Sequence, residues 1–298
     1  MLIMQKEMKV PAKNIGLFQK IKSYADLTKL RLSSLVVISA LLGYMIAPGE
    51  ANYLQMIYLF AGGFLITGAS NAFNQVWEKD LDKIMKRTKN RPLPLGNLSV
   101  IESLVFATII GCGGLFLLWM VNDACAILGA LALVMYVLVY TPLKTRTPFA
   151  VFVGALPGSI PPMLGYVAAT GNFGLEAGIL FMIQFFWQFP HFWAICWKLD
   201  DDYKLAGFRL LPSGYRDKKS AFQIMFYSGF LIPITMLPWV VDMSGVLSMY
   251  FGIGASLCML IPSVKLYRTL DMKYAKQVMF LSFVYLPFVL FIYYIDKI

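Results

Sequence analysis

Strongly apolar runs alternate with short charged segments along the whole chain. The runs lie at 30–47, 54–77, 100–121, 124–141, 148–169, 174–197, 220–241, 245–264 and 277–295. Each approaches the ~20 residues that a bilayer core requires. The pattern therefore predicts nine transmembrane helices packed as an all-α bundle. Pro157, Pro161, Pro162, Pro233, Pro238 and Pro287 fall inside these runs, and bundled membrane helices tolerate them where neighbours re-satisfy the freed backbone groups. Lys29 and Arg31 can snorkel at the start of the first run. Ser99-Val-Ile-Glu102 has the spacing of a capping box and marks where the third run begins. The expected organisation is an N-terminal tail over 1–29 and a single transmembrane domain over 30–298.

The charged segments sort into two sets. One set comprises the N-terminal segment to Arg31 and the stretches 79–91, 144–146, 198–219 and 265–276. Together they hold every Lys and Arg of the chain's 26 except Lys297. The other set carries Glu50, Asp123, Glu176 and Asp242. The positive-inside rule then puts the N-terminus in the cytoplasm and, after an odd number of crossings, the C-terminus outside. Two of the basic segments, 78–99 and 198–219, are also rich in acids and lie four helices apart. That offset suggests a tandem four-helix repeat with one helix appended, which would bring the two acidic ends into one cytoplasmic mouth.

Composition agrees with the helix pattern. The chain has 298 residues, 59% of them hydrophobic and 14% charged, with a mean hydropathy of +0.67. Soluble domains have roughly 45–50% apolar and 25% charged residues. The net charge of +10 follows from topology, and its distribution argues against a nucleic-acid partner. Cys112, Cys125, Cys196 and Cys258 all sit within apolar runs without ligand spacing, so they are packing residues. The N-terminal segment has no apolar core followed by a cleavage site, and Glu7, Asp26 and a single arginine speak against a transit peptide. The expected location is a bacterial cell (inner) membrane.

Chemistry concentrates where the second run meets charge, at Asn74-Gln-Val-Trp-Glu78-Lys-Asp80-Leu-Asp82. On a helix Asn74, Glu78 and Asp82 stack on one face over roughly 12 Å, while Asp80 points the other way. Oxygen donors on one face suit a hard cation such as Mg²⁺, which takes one or two carboxylates together with phosphate oxygens and water. The basic run to Arg91 would suit the phosphate. A solvated, charged helix end at the membrane surface is the plain alternative. The second stretch, Asp200-Asp201-Asp202-Tyr203, sets three carboxylates side by side, which requires a cation or several bases among them. A network of acids and bases that merely stabilises two loops is the alternative there.

These residues carry a resemblance. Asn74-x-x-x-Glu78-x-x-x-Asp82 followed by Arg87-Thr-x-x-Arg91-Pro-Leu resembles the first motif of the intramembrane aromatic prenyltransferase superfamily. Within it the chain is most similar to the heme-farnesylating branch. That narrower match rests on Leu27-Thr-Lys-x-Arg31 with Gly43-Tyr44, Tyr140-Thr-Pro-Leu-Lys144-Thr-Arg146-Thr-Pro and Pro161-Pro162-x-x-Gly165-Tyr. It rests above all on Trp187-Gln-Phe-Pro190-His191-Phe192-Trp193 leading into Asp201-Asp202-Tyr203-x-x-Ala206-Gly207-x-x-x-Leu211-Pro212. Two positions depart from the wider pattern: Glu78 stands where aspartate is usual, and Tyr203 stands where a later aspartate is expected.

The resemblance implies a Mg²⁺-dependent transfer of a farnesyl group from farnesyl diphosphate to a vinyl group of protoheme IX. In that role Asn74, Glu78 and Asp82, with Asp202 and Asp201 from the second stretch, would hold the metal and Tyr203 would join them. Arg87, Arg91, Lys144, Arg146 and Lys198 would donate to the departing diphosphate. The aromatic segment containing Trp187 and Trp193 would exclude water and face an allylic cation, although such a stripe also serves simple packing. His191, the chain's single histidine, would meet the heme at its iron or at a propionate; a buried histidine hydrogen-bonded beside Pro190 is the alternative. Heme here is substrate. The other expected partners are the lipid bilayer and an enzyme that modifies the product heme. A prenyltransferase acting on another aromatic acceptor is the nearest alternative function. A transporter with acidic sites between repeats is a more distant one, because the helix interiors carry almost no ionisable residues.

Overall fold

The computed structural model describes residues 13 and 15–298; Lys6, Glu7 and Lys9 lie outside the described residues. Helices α1 (Leu17–Thr28), α2 (Leu30–Ile46) and α3 (Tyr53–Trp77) open the chain, followed by the short α4 (Lys79–Ile84) and α5 (Pro92–Leu95). Then come α6 (Val100–Trp119) and α7 (Asp123–Val134), the latter extended by a π-helical turn over Met135–Tyr140 and a last turn over Thr141–Leu143. Helices α8 (Ala150–Thr170), α9 (Leu175–Leu205), α10 (Lys218–Val240), α11 (Val246–Thr269) and α12 (Met272–Ile295) complete it. Among the described residues there is no strand, only an isolated bridge between Ser244 and Lys297. Eight of the helices are long and apolar enough to cross a membrane, and α1 with α2, bent by 44° at their junction, make a ninth candidate. The chain is an integral, multi-pass membrane protein.

Side-chain caps set several starts. Asn52 accepts from the Leu54 and Gln55 N–H groups, Asn122 from Cys125 and Asp217 from Ser220. Each satisfies donors that the first helical turn leaves orphaned. Ser99 accepts from the Glu102 N–H at 3.1 Å, as the capping-box spacing predicts. The helices then pack through small residues, as lipid-embedded helices do when backbones must approach closely. At the crossing of α2 and α8 a Cβ on Gly165 would run into the Ala40 carbonyl, and one on Gly43 into the Pro162 carbonyl. Helix α8 is the most buried span and also packs on α7 and α9, while α12 packs on α2, α9 and α11.

Residues 17–28 of the N-terminal segment form α1, an amphipathic helix docked on α3. Leu27 is fully buried, Lys20 pairs with Glu102 at 2.7 Å, and the Tyr24 hydroxyl donates to the same carboxylate at 2.6 Å. Its outer face leaves Leu17, Phe18 and Ile21 exposed, the arrangement of a helix lying in a lipid interface. The packed unit therefore begins before residue 30. The joint to α2 is Lys29, in the left-handed region at φ 51°. Two amides of α3 stabilise this break: Gln75 donates to the Leu27 carbonyl at 2.8 Å and Asn71 to that of Thr28 at 3.4 Å.

Candidate active site

The first motif sits where α3 hands over to α4. Glu78 is the joint, yet its N–H donates to the Asn74 carbonyl at 2.9 Å and the Asp82 N–H donates to the Glu78 carbonyl at 2.8 Å. Helical register thus passes through the break, and Asn74, Glu78 and Asp82 are all buried, with Asp82 at 0% exposure. Asp80 is turned outward and pairs with Lys83 at 2.9 Å, as the helical spacing predicts.

Each buried acid meets a base. Arg91 donates from Nη1 to both Asp82 oxygens at 2.8 and 2.7 Å, and Lys144 reaches Glu78 Oε1 at 2.8 Å. Burial holds the Asp82 carboxyl above the ordinary carboxylate range, although the Arg91 guanidinium pulls the other way. For Lys144 burial disfavours the charge, but the neighbouring Glu78 carboxylate and the Tyr136 and Tyr203 hydroxyls outweigh it and hold the ammonium above its usual range. The Lys144 ammonium also lies 4.7 Å from the centre of the Tyr140 ring, within cation–π distance.

Asn74 is oriented by the π-helical turn. The Thr141 hydroxyl, carried inward by that turn, donates to the Tyr136 carbonyl at 2.8 Å. With its only proton committed, Thr141 Oγ1 can serve Asn74 solely as an acceptor, so it is the Asn74 Nδ2 that faces it, at 3.2 Å. Asn74 Oδ1 and Glu78 Oε2 are left without a hydrogen bond among the described residues. Two hard oxygens one helical turn apart, one of them from Glu78 itself, thus remain available beside the buried Asp82 carboxylate. π-helical turns inside α-helices recur at functional sites.

The three consecutive aspartates of α9 separate rather than converge. Asp200 is buried and lies 2.6 Å from Lys204 and 3.7 Å from Arg216 Nε. Asp201 is exposed and binds Arg216 at 3.0 Å. Asp202 reaches across the mouth to accept from the Lys86 and Arg87 N–H groups at 2.7 and 3.2 Å. The two acidic segments do meet, then, but through a carboxylate bound to backbone. The expected pool of facing acids is not present: among the described residues no group of three or more His, Cys, Asp or Glu side chains gathers at one point. Asp201, expected beside Asp202 at the metal, is instead tied to Arg216 away from the first motif. The repulsion between neighbouring carboxylates is relieved by Lys204 and Arg216 at Asp200 and Asp201 and by backbone N–H groups at Asp202.

The remaining expected residues divide. Tyr203 is half-buried, edge-on to Phe208, and faces the Lys144 side. Arg146 and Lys144 line a recess of about 450 Å³ that also includes Arg209, so the basic wall extends to a residue not foreseen from sequence. Arg87 is exposed in the loop whose backbone Asp202 holds. Lys198 is exposed on α9 and makes no contact with the cluster among the described residues. Trp187 and His191 face α12, where the Trp187 Nε1–H donates to the Ser282 carbonyl at 3.0 Å and the two rings stack 4.5 Å apart. Trp193 turns instead toward α10 and packs on Phe189 and Tyr227, so the aromatic stripe is split between two faces.

Lys29 is the main residue that the sequence alone placed elsewhere, at the membrane surface as a snorkelling charge. Its ammonium points inward and donates to Asn71 Oδ1 at 3.1 Å. Burial pushes it down to about 7, with Arg91 and Lys144 adding repulsion and Glu78 and Asp82 opposing it. The signal was the break in helical structure at Lys29, which only Asn71 and Gln75 on a distant helix make possible.

The fold and the site together define a multi-pass helical membrane protein whose mouth holds buried acids against buried bases. The UbiA prenyltransferase family model matches residues 36–284. The chain is 43% identical over 285 residues to a protoheme IX farnesyltransferase of Christiangramia forsetii, covering 93% of this chain and 94% of that protein. It is 46% identical over 286 residues to one from Flavobacterium psychrophilum, at 92% and 94% coverage. Among solved structures it is similar to a digeranylgeranylglyceryl phosphate synthase, with a TM-score of 0.79 at 20% identity and 93% and 98% coverage. A UbiA homologue from Archaeoglobus fulgidus bound to DMAPP and Mg²⁺ gives 0.70 at 13% identity and 91% and 99% coverage. The chain belongs to the UbiA prenyltransferase family and is a prenyltransferase.

Proposed function

We propose that the protein transfers a farnesyl group from farnesyl diphosphate to a vinyl group of protoheme IX. The observation that carries this is the pairing of buried Asp82 with Arg91 and of buried Glu78 with Lys144 at the bundle mouth, in a chain whose relatives are protoheme IX farnesyltransferases. Loss of diphosphate breaks the allylic C–O bond and leaves a cation. The vinyl carbon bonds to that cation, water adds a hydroxyl to the heme side, and a proton is released. Stabilising the departing diphosphate is therefore the main task of the site.

The oxygens of Asn74, Glu78, Asp82 and Asp202 are the candidate holders of Mg²⁺ arriving with the diphosphate. The donor set fits a hard cation, because the free Asn74 Oδ1 and Glu78 Oε2 add to carboxylates that bases already neutralise. When bound, the metal supplies Lewis-acid stabilisation of the leaving oxygens. Lys144 and Arg91 can then turn from their carboxylates toward phosphate oxygens. Lys29, Arg87, Arg146 and Arg209 supply further positive charge, and the Tyr203 hydroxyl is a neutral donor at the same mouth. Trp187 and His191 offer a flat apolar wall on the α12 side suited to a porphyrin, while Trp193 packs α9 against α10. The excess of bases at the mouth end supports a cytoplasmic location for it.

The purified protein supplied with farnesyl diphosphate, Mg²⁺ and heme should release diphosphate and yield a heme heavier by one farnesyl and one hydroxyl group, resolved by mass. An active preparation that prenylates a different aromatic acceptor but never heme would overturn the proposal, and chelation of divalent metal should abolish turnover.

A further inference from the structure

We infer that Ser282 fixes His191 as the tautomer protonated at Nδ1, which makes Nε2 a lone-pair ligand for heme iron and not a hydrogen-bond donor to a propionate. This rests on the proposed heme acceptor. Ser282 is fully buried on α12, and its hydroxyl makes two short contacts. It donates to the Met279 carbonyl at 2.6 Å and lies 2.7 Å from His191 Nδ1. A serine hydroxyl has one proton. The oxygen–oxygen contact needs that proton, since two lone pairs cannot face each other at that separation. The contact to His191 can then form only if the imidazole nitrogen is the donor. An imidazolium is disfavoured, because the ring packs against Trp187, Phe192 and Phe283 and no carboxylate pairs with it among the described residues.

Nε2 of this tautomer carries a lone pair and no hydrogen. Nothing among the described residues hydrogen-bonds it, and it is not among the buried nitrogens sealed from the surface. The same residue of α12 holds the ring's platform, since Trp187 Nε1–H donates to the Ser282 carbonyl and its indole stacks on the imidazole. A histidine whose far nitrogen is anchored, whose near nitrogen is free and whose face is stacked has the arrangement that orients metal-ligating imidazoles. Ser282 is thus a positioning residue, and His191 the group that meets the iron.

The experiment is a hemin titration of the full chain in detergent, followed by absorption and electron paramagnetic resonance. The unaltered protein should bind hemin with the signature of histidine ligation. His191→Ala should lose that signature and regain it on addition of imidazole. Ser282→Ala keeps the ring but frees its proton to move to Nε2, and should weaken hemin binding by about 10- to 100-fold. Ser282→Thr, which keeps the hydroxyl, should restore it. An unchanged signature in His191→Ala overturns iron ligation, and unchanged affinity in Ser282→Ala overturns the role of Ser282. Failure of the unaltered protein to bind hemin at all overturns the heme proposal itself, and this inference with it.

Discussion

A hydroxyl committed to a helix carbonyl can only accept from whatever else touches it, and at Thr141 that rule aims the chemistry of a neighbouring side chain. The Thr141 contact turns the Asn74 amide so that its oxygen is free. Replacing Thr141 by valine keeps the shape and removes the acceptor, so the amide loses its orientation. The cost in stability should be about 1 kcal/mol, the size of one buried hydrogen bond, while the Mg²⁺ concentration needed for half-maximal turnover should rise about tenfold. Unchanged metal dependence would remove Asn74 from the ligand set. Asp82 tests the neighbouring position. Asp82→Ala should abolish turnover with the protein still folded in detergent, and retained activity would refute its role. Removing its partner has a different signature. Arg91→Gln leaves a carboxylate buried without its base, which typically costs about 3–5 kcal/mol, read as a lower unfolding temperature. The pH profile should move as well. Asp82 must be ionised to hold a cation, burial already holds its carboxyl above the ordinary range, and Arg91 is the group that lowers it. Activity should therefore rise with pH through that raised value, and in any folded Arg91→Gln protein the rise should shift to still higher pH.

The helices were legible because lipid demands continuous apolar runs, and all nine expected spans correspond to helices or to the bent pair. Breaks within helical segments were not. Lys29 lies in a segment with no proline or glycine to mark a joint, and Asn71 and Gln75, which stabilise it, come from another helix. The same limit governs the site. Helical spacing was enough to put Asn74, Glu78 and Asp82 together and leave Asp80 out. It could not show that Asp201 would go to Arg216 and Asp202 to backbone N–H groups, because those partners lie on loops brought near only by the bundle. Close packing at the element scale offers a clean contrast between two glycines. At Gly165 an added Cβ meets the Ala40 backbone carbonyl, so neither side can give; at Gly178 it meets nothing within 4 Å. Gly165→Ala should force α2 and α8 apart and lower thermal stability in detergent by at least the 1–3 kcal/mol typical of overpacking, about the upper end or beyond. Gly178→Ala should be neutral or slightly stabilising, since alanine is the better helix former by about 1 kcal/mol. Equal effects at the two sites would mean that the α2–α8 crossing is looser than described.

At the scale of the whole molecule the two ends of the bundle are built for different work. One end carries the buried ion pairs, the recess lined by Lys144, Arg146 and Arg209, and the loop that Asp202 ties down. The other is fastened by Lys297, which donates to the Met45 carbonyl, and by Asp296, which accepts from the Ser248 N–H; it holds no comparable charge cluster among the described residues. An enzyme that takes a diphosphate from water while its apolar tail stays in lipid needs such polarity. By the positive-inside rule, the excess of bases leads us to propose that the active end faces the cytoplasm. Single cysteines report this directly in a background whose native cysteines are replaced. Asn90 lies in the exposed loop at the active end, and Asn172 in the exposed turn between α8 and α9 at the other. In intact cells Asn172→Cys should react with a maleimide that cannot cross membranes, and Asn90→Cys only with one that can. The reverse pattern would place the diphosphate site outside and sever the link between loop charge and orientation in this chain. Reaction of both residues with the impermeant reagent in opened cells, but of Asn172→Cys alone in intact ones, would fix the sidedness that the charges predict.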